Sequence, residues 1–246
     1  MMNPTDQFNQ EKKENIIALG NDESLKDLGL KFLVDTAPKK YSYNFSWMGR
    51  PIIALPQDMI AMQELIWEVK PDLIIETGVA HGGSIVYYAS LLELIGGEGL
   101  VLGIDIDIRK HNRDLIEAHP MMKRIKLLEG SSTSNEIVSQ VKEIASSKKK
   151  IMVCLDSNHT HEHVYNELKL YAPLTTVGSY CIVFDTVVED KPTDWDWGIR
   201  TWGVGNNPKT AVRAYLKEND NFEIDKSIDN KLLISVAPDG YLKRVK

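Results

Sequence analysis

The sequence predicts an α/β protein whose mostly parallel sheet ends in an antiparallel hairpin. Three observations predict it: short apolar runs that alternate with amphipathic stretches, a glycine-rich turn directly after the first run, and two further strand-like runs near residue 246. Short apolar strands separated by helices are typical of a parallel sheet that is covered on both faces. The 246 residues, 43% of them hydrophobic, suffice for one domain with a sizeable core.

Residues 1–50 are predicted to form an N-terminal arm or cap ahead of a main domain that spans residues 51–246. The first 40 residues or so are polar and rich in lysine, with modest helical patterning. The stretch from 41 to 56 mixes aromatic residues with glycine and proline, which indicates an ordered loop. Residues 57–69 have the apolar spacing of a helix, and Pro71 follows as a stop signal.

The central part of the chain predicts alternating strands and helices. Five apolar runs are predicted strands, namely 73–75, 100–104, 125–128, 151–155 and 180–184. The amphipathic stretches are predicted helices at 83–94, 109–118, 134–144 and 161–171, and Pro208 opens another that runs to about 217. Residues 222–226 and 232–237 are predicted to pair as the closing hairpin. This arrangement differs from the uniform six-strand dinucleotide-binding fold and is typical of a Rossmann-like methyltransferase domain.

Composition excludes several classes of protein. The formal net charge of -6 and a sequence pI of about 5.6 argue against a nucleic-acid partner. No apolar run approaches the roughly 20 residues that cross a bilayer, so no membrane partner is expected. Cys154 and Cys181 lie in apolar strand-like runs, which indicates buried free thiols and a cytoplasmic location.

The glycine turn after the first central strand predicts a cofactor site. Glu76 lies two residues before Gly78, and Gly82 follows four residues after it. Glycines there let a ligand approach the backbone, and the helix that follows offers unpaired N–H groups. A carboxylate at this position would repel a pyrophosphate and attract an ammonium group, which favours S-adenosyl-L-methionine (SAM) over NAD. The alternative is a turn without any ligand.

The next two strand ends also carry residues that suit a nucleoside. Asp105 ends the second central strand and is predicted to accept hydrogen bonds from ribose hydroxyls. Asp107 is the competing residue, just past the strand. Ser132 follows the third strand in a small polar segment that is predicted to border an adenine, although a simple turn is the alternative.

The fourth and fifth central strands end in Asp156 and Asp185, which predicts a metal site at the same edge. Two converging carboxylates repel each other unless a cation lies between them, and oxygen ligands favour Mg²⁺ or Mn²⁺. The alternative is that both are helix N-caps. His159 is predicted to be the base that takes a proton from a metal-held hydroxyl, and a surface histidine is its alternative. A zinc site is disfavoured because the cluster of histidines around His159 contains no cysteine.

The loop at 194–202 holds three of the five tryptophans. So many aromatic residues in a polar loop predict either a substrate lid or an aromatic plug over the sheet edge.

Several motifs together resemble the cephalosporin hydroxylase family, from roughly residue 40 to the end of the sequence. They are FSWMGRP at 45–51, PQD at 56–58, PDLIIETG at 71–78, HGGS at 81–84 and GNNP at 205–208. Despite its name, this family has the fold of a SAM-dependent methyltransferase. Its relatives include macrolide-sugar and rhamnosyl O-methyltransferases, and its core is similar to catechol O-methyltransferase.

The resemblance implies a role for each candidate residue. By this resemblance, Glu76, Gly78 and Ser84 would hold the methionine part of SAM. Asp105 would bind the ribose, and Ser132 would lie near the adenine. Asp156 and Asp185 would be metal ligands, and His159 would be the base. The chain departs from the family at Phe184, where close relatives carry a glutamate before the aspartate. In the catechol enzyme's pattern the third ligand would fall on Thr186, which is a weaker ligand than either Glu or Asn.

The sequence therefore predicts a cytoplasmic, metal-assisted, SAM-dependent O-methyltransferase. Its expected partner is a small hydroxylated molecule, such as a sugar, and the N-terminal arm makes a homo-oligomer plausible. Two alternatives stay open at this point: a SAM-binding protein without transfer activity, and an NAD-dependent oxidoreductase.

Overall fold

The structure is a computed structural model that describes residues 2–192, 195 and 198–246. Its strands are β1 (Phe45–Trp47), β2 (Arg50–Ile52), β3 (Leu73–Thr77), β4 (Leu100–Asp105), β5 (Ile125–Glu129), β6 (Ile151–Leu155), β7 (Tyr180–Val183), β8 (Phe222–Ile224) and β9 (Tyr241–Arg244). Its α-helices are α1 (Pro4–Gly20), α2 (Glu23–Thr36), α3 (Pro56–Val69), α4 (Gly83–Ile95), α5 (Lys110–Glu117), α6 (Asn135–Ala145), α7 (His161–Tyr171), α8 (Pro208–Glu218) and α9 (Lys226–Leu232). Short 3-10 helices cover Ala37–Lys39, Tyr41–Tyr43, Pro120–Arg124, Ala172–Leu174 and Thr186–Asp190.

The main sheet has the strand order β5-β4-β3-β6-β7-β9-β8. Strands β5, β4, β3, β6 and β7 run parallel, whereas β9 is antiparallel to both β7 and β8. The predicted mostly parallel sheet with an antiparallel closing pair is therefore confirmed. The chain changes direction beside β3, since β4 and β6 lie on either side of it, and ligands of such sheets bind at this point.

Helices cover both faces because successive strand residues point to opposite sides. On β3, Ile74 packs with the core that α3 and α4 bury, while Leu73 and Ile75 pack with the core that α6, α7 and α8 bury. All three side chains are fully buried. This packing explains why the central strands are continuous apolar runs without polar alternation.

The N-terminal part is more regular than the sequence indicated. Residues before 37 form α1 and α2, and α1 packs against α9. The segment predicted as an ordered loop contains the antiparallel hairpin of β1 and β2, in which Trp47 pairs with Arg50. This hairpin crosses residue 50, and the division into a cap of residues 1–50 and a domain of residues 51–246 stays a proposal.

The predicted strand at 232–237 is wrong, and the last strand is β9 instead. Asp225 caps a helix by accepting a hydrogen bond from the Ser227 amide at 3.1 Å, so α9 occupies the predicted hairpin loop. The Val236 amide then donates to the buried Asp58 carboxylate at 2.9 Å, and Asp58 also accepts from Ser235 at 2.6 Å. Because Asp58 takes these donors, residues 235 and 236 do not pair with a strand.

Among the described residues, none of the helices combines the length and the apolar character needed to cross a membrane.

Candidate active site

Glu76 is a buried carboxylate at the end of β3 with an unfilled acceptor. It is 1% exposed, and its Oε2 accepts a hydrogen bond from the Ser84 hydroxyl at 2.8 Å. Its Oε1 is buried, and it meets the distance and angle criteria of a hydrogen bond with none of the described residues. Burial raises the pKa of this carboxyl to about 8. Glu76 also lines the main cleft, so the site offers a carboxylate oxygen to an incoming donor such as an ammonium group.

The turn after Glu76 is held in shape by Asp105. Gly78 and Gly82 have left-handed φ values of +91° and +80°. The Asp105 Oδ2 accepts from the amides of Val79 and Ala80 at 2.8 and 3.2 Å, and its Oδ1 accepts from the Asp107 amide at 3.1 Å. The predicted ribose ligand therefore lies beside the turn, at the end of β4, with its carboxylate already bonded to the turn's backbone.

Ser132 lies deeper than a residue that borders an open adenine pocket. It is 6% exposed, and its hydroxyl lies 3.2 Å from Nε2 of His163. The same nitrogen lies 3.1 Å from the Ser157 hydroxyl and 3.3 Å from Oε1 of the fully buried Glu167. The candidates Glu76, Gly78 and Ser84 line the main cleft, whereas Gly82, Asp105 and Ser132 are not among its lining residues in the described part of the chain.

Asp156, His159 and Asp185 form a compact cluster at the carboxyl ends of β6 and β7. One ligand atom from each lies within 4.8 Å of the others. His159 Nε2 is 3.2 Å from Asp185 Oδ2. Burial, together with the negative charges of Asp185 and Glu76, raises the pKa of Asp156 well above its usual value. Two carboxylates and an imidazole that converge in this way fit a divalent cation, which would remove the repulsion between the two acids.

The residues beside Asp185 do not extend this cluster. Phe184 packs into the hydrophobic core and is 9% exposed. Thr186 is fully buried and donates its hydroxyl hydrogen bond to the Pro238 carbonyl at 2.6 Å. His159 is the third residue of this cluster, and the sequence predicts it to be the base.

The tryptophan-rich loop lies only partly within the described residues. Thr193, Asp194, Asp196 and Trp197 fall outside them, so the prediction of a lid or a plug cannot be followed through the whole segment. The Trp202 ring meets the His159 ring edge to face, with centroids 5.1 Å apart, and the Arg200 guanidinium lies 4.5 Å from the Trp202 centroid. An aromatic side chain from this loop therefore packs directly on the candidate base.

The cluster and Glu76 share one cleft of about 930 Å³. That volume lies near the upper end of the range for small-molecule sites, so it suffices for a cofactor and a second reactant. The cleft continues from the ends of β3, β6 and β7 to a wall that includes Tyr41, Tyr43 and Ile53. Lys191 and Arg200 also line it, and burial lowers the pKa of Lys191.

Sequence reasoning missed two buried polar residues that contact the glycine turn. Arg50 on β2 donates to the His81 carbonyl, and Asn112 on α5 donates to the Ala80 carbonyl at 3.1 Å. Each contact joins residues more than 30 positions apart, so no local pattern predicts it. The one signal in the sequence was the unusual motif around Arg50.

The sequence matches a family model described as Rhamnosyl O-methyltransferase/CmcI over residues 39–245. A protein of Mycobacterium tuberculosis (strain ATCC 25618 / H37Rv) named rhamnosyl O-methyltransferase is 33% identical over 216 residues, which cover 84% of this chain and 82% of that protein. The protein of the same name from Mycobacterium leprae (strain TN) is 32% identical over 201 residues, which cover 81% and 82%.

Solved structures share the fold. The structure described as CmcI-N160 apo aligns with a TM-score of 0.58 and 20% identity over 83% of this chain and 77% of that chain. The one described as cmcI-D160 Mg-SAM aligns with a TM-score of 0.56 and 21% identity over 83% and 78%. At these identities the alignments establish the shared architecture.

Proposed function

Because this chain belongs to the Rhamnosyl O-methyltransferase/CmcI family, we propose that it methylates a hydroxyl of a sugar or a related small molecule, using SAM and a divalent cation. The observation that carries this proposal is the single cleft that joins the buried Glu76 carboxylate to the cluster of Asp156, His159 and Asp185. The family predicted from the motifs is confirmed by the match over residues 39–245.

The cofactor half of the site is built to bind the amino-acid end of SAM. Glu76 offers Oε1, which has no hydrogen-bond partner in the part of the chain that the structure describes, and Ser84 fixes the orientation of the carboxyl through Oε2. A carboxylate in this place pairs with an ammonium group and disfavours a pyrophosphate. This charge pattern is why an NAD-dependent oxidoreductase is not favoured.

The acceptor half is built around the two aspartates and His159. Bound here, Mg²⁺ would supply a Lewis acid that orients the acceptor and lowers the pKa of its hydroxyl, and SAM would supply the electrophilic methyl group. Asp156 and Asp185 would hold the cation by carboxylate oxygens. His159 accepts the hydroxyl proton, since its Nε2 borders the same cluster and its ring is fixed by Trp202. Holding both reactants in one cleft contributes much of the rate.

His159→Ala tests this assignment. If His159 is the base, the variant loses at least about 100-fold in kcat, as removal of a general base typically does, while it binds SAM and the cation with unchanged affinity. Transfer of a labelled methyl group to a panel of glycosides measures kcat, and Mn²⁺ titration followed by paramagnetic resonance measures cation affinity. A large loss of Mn²⁺ affinity would instead make His159 a metal ligand.

His161→Ala is the matched control for this variant. His161 belongs to the same segment, but its Nδ1 lies 2.8 Å from the Thr210 hydroxyl, and it is not among the residues that line the cleft in the described part of the chain. We expect its turnover to stay near that of the unaltered protein. Equal losses in both histidine variants, or turnover by His159→Ala at the original rate, would contradict the proposed base.

Two further features belong to this proposal. Cys154 and Cys181 are buried free thiols, which suits a reducing compartment, and we place the protein in the cytoplasm.

The rhamnosyl relatives support a deoxysugar or similar glycoside as acceptor. Light scattering would test the predicted homo-oligomer.

A further inference from the structure

Arg50 is a buried cation that has no role in the chemistry proposed above. It lies on β2, outside the main sheet, and is 6% exposed. Its Nε donates to the His81 carbonyl at 3.0 Å, and its Nη2 donates to the same oxygen. A buried guanidinium is costly unless its donors are satisfied. Here two of its donors are directed at one carbonyl of the glycine turn.

Asn112 extends this contact to the neighbouring carbonyl. It lies on α5, is 4% exposed, and accepts from Arg50 Nη2 through Oδ1 at 3.1 Å. Its Nδ2 donates to the Ala80 carbonyl at 3.1 Å. Two side chains that bond to each other therefore bind two consecutive carbonyls of one turn.

The turn has a conformation that needs such support. Ala80 has a left-handed φ of +45°, which costs a residue with a Cβ about 1–2 kcal/mol, and the glycines at 78 and 82 are left-handed as well. Asp105 binds the amides of residues 79 and 80 from one side. Arg50 and Asn112 donate to the carbonyls of residues 81 and 80, so both the N–H and the C=O groups of this turn are held by side chains.

We propose that Arg50 and Asn112 are positioning residues that hold the 78–82 turn in the shape that receives the cofactor. The β1–β2 hairpin is thereby a part of the cofactor site, although Arg50 touches no reactant. This inference rests on the proposed function, because it assigns SAM to that turn. Removal of the guanidinium leaves the His81 carbonyl without its donors and allows the turn to relax.

The test compares Arg50→Ala, Arg50→Lys and Asn112→Ala by calorimetric titration with S-adenosylhomocysteine. We expect Arg50→Ala to weaken binding at least tenfold and Asn112→Ala to weaken it severalfold. Arg50→Lys recovers only part of the loss, since an ammonium cannot reproduce the two-donor geometry. The KM for SAM should rise in these variants, while the KM for the acceptor stays within about twofold, a split that a general loss of stability would not produce.

Arg124→Ala is the matched control. Arg124 is also a largely buried guanidinium that donates to loop carbonyls, at Gly99 and Gly97 at 3.0 and 2.9 Å, but it lies near the amino end of β4, away from the cleft. We expect this variant to be less stable and to bind S-adenosylhomocysteine with unchanged affinity. Binding by Arg50→Ala and Asn112→Ala as tight as that of the unaltered protein would overturn the inference. A parallel loss of affinity in Arg124→Ala would overturn it as well.

Hydrogen exchange keeps this inference separate from the proposed function and covers the case in which Arg50→Ala folds poorly. If the unaltered protein binds no S-adenosylhomocysteine, the proposed function fails. The amides of residues 80–82 should still exchange at least tenfold faster in Asn112→Ala than in the unaltered protein or in Arg124→Ala. Unchanged exchange at these amides would show that the two side chains do not hold the turn.

Discussion

Glu76 combines two properties that oppose each other in a folded protein. Its carboxyl is enclosed, and one of its oxygens has no partner among the described residues. Ionisation there is costly, and burial raises its pKa to about 8. An ammonium group that reaches Oε1 would favour the ionised form. The protein therefore keeps a residue that destabilises the ligand-free fold at neutral pH.

Glu76→Gln should stabilise the ligand-free protein in a pH-dependent way. Because the folded pKa of about 8 exceeds the unfolded value near 4.5, the folded state retains a proton that the unfolded state releases. The stability contributed by the protonated form is fully present below pH 4.5 and is lost as pH rises through 8. The variant should therefore gain on the order of 4–5 kcal/mol relative to the unaltered protein at pH 8.5, and little at pH 4.5.

Urea unfolding between pH 4.5 and 8.5 measures this difference. Glu98→Gln, which changes an exposed loop glutamate, should follow the profile of the unaltered protein. A stability difference between Glu76→Gln and the unaltered protein that stays constant across the range would contradict the raised pKa.

The structure brings several of the predicted site residues to one edge of the sheet, for a simple reason. Parallel strands end at one edge, so Glu76, Asp156 and Asp185 could be brought together from strand ends alone. Arg50 and Asn112 could not, because their partners are backbone carbonyls of a distant turn, and no local pattern marks a residue that binds a carbonyl. The proximity of His159 to Asp185 depends on the loop between β6 and α7.

At the scale of elements, the ends of β3 and β6 approach unusually closely. A Cβ on Gly78 would lie 2.1 Å from the Asp156 carbonyl oxygen, and the φ of +91° at Gly78 favours glycine. The turn of the cofactor half therefore packs against the backbone of a predicted metal ligand. A displacement of one moves the other.

Gly78→Ala should damage both halves of the site at once. The added methyl group cannot fit without moving the backbone of β6, so we expect a loss of about 3 kcal/mol or more in unfolding free energy. Affinity for both S-adenosylhomocysteine and Mn²⁺ should fall, as calorimetry and metal titration would measure.

Gly96→Ala separates backbone strain from this steric overlap. Gly96 has a φ of +86°, close to that of Gly78, but a Cβ there meets nothing within 4 Å. Because its ψ of -171° places it in a region that is essentially restricted to glycine, the substitution should cost about 1–3 kcal/mol and leave both affinities unchanged. Equal effects of the two substitutions would mean that the contact with Asp156 has no special importance.

Elements were predictable where burial alone decides them. The strands β3, β4, β6 and β7 are largely apolar and buried on both faces, and each of the five parallel strands coincides closely with its predicted run. The prediction of a strand at 232–237 was wrong for two reasons. The amide of Val236 donates a hydrogen bond to Asp58, about 180 positions away, and Leu233 adopts a φ of +57° that interrupts a strand. The β1–β2 hairpin was missed since its three-residue strands are too short to show alternation.

At the scale of the whole molecule, the cleft is closed by parts that are distant in sequence. The sheet edge supplies its floor, and residues around Tyr41 and Ile53 supply one wall. A ligand that fills this cleft contacts both parts. Its binding should therefore stabilise the molecule against global unfolding.

S-adenosylhomocysteine at about 100 times its Kd should stabilise the protein by about 2.7 kcal/mol. For a chain of this size, that corresponds to a rise in melting temperature of roughly 5–10 °C. NAD at the same concentration should produce no rise. Differential scanning fluorimetry measures both melting temperatures. A rise in melting temperature with NAD alone would contradict the SAM site and favour an NAD-dependent oxidoreductase.

The position of β9 has a consequence for synthesis on the ribosome. This strand, close to residue 246 in sequence, lies between β7 and β8 within the sheet. Until residues 241–244 leave the exit tunnel, β7 lacks its outer neighbour and β8 has no place to attach. The pairs that β9 makes with β7 and β8 can therefore form only after residues 241–244 have left the tunnel, whereas the half of the sheet around β3, β4 and β5 has the chance to fold earlier on the nascent chain.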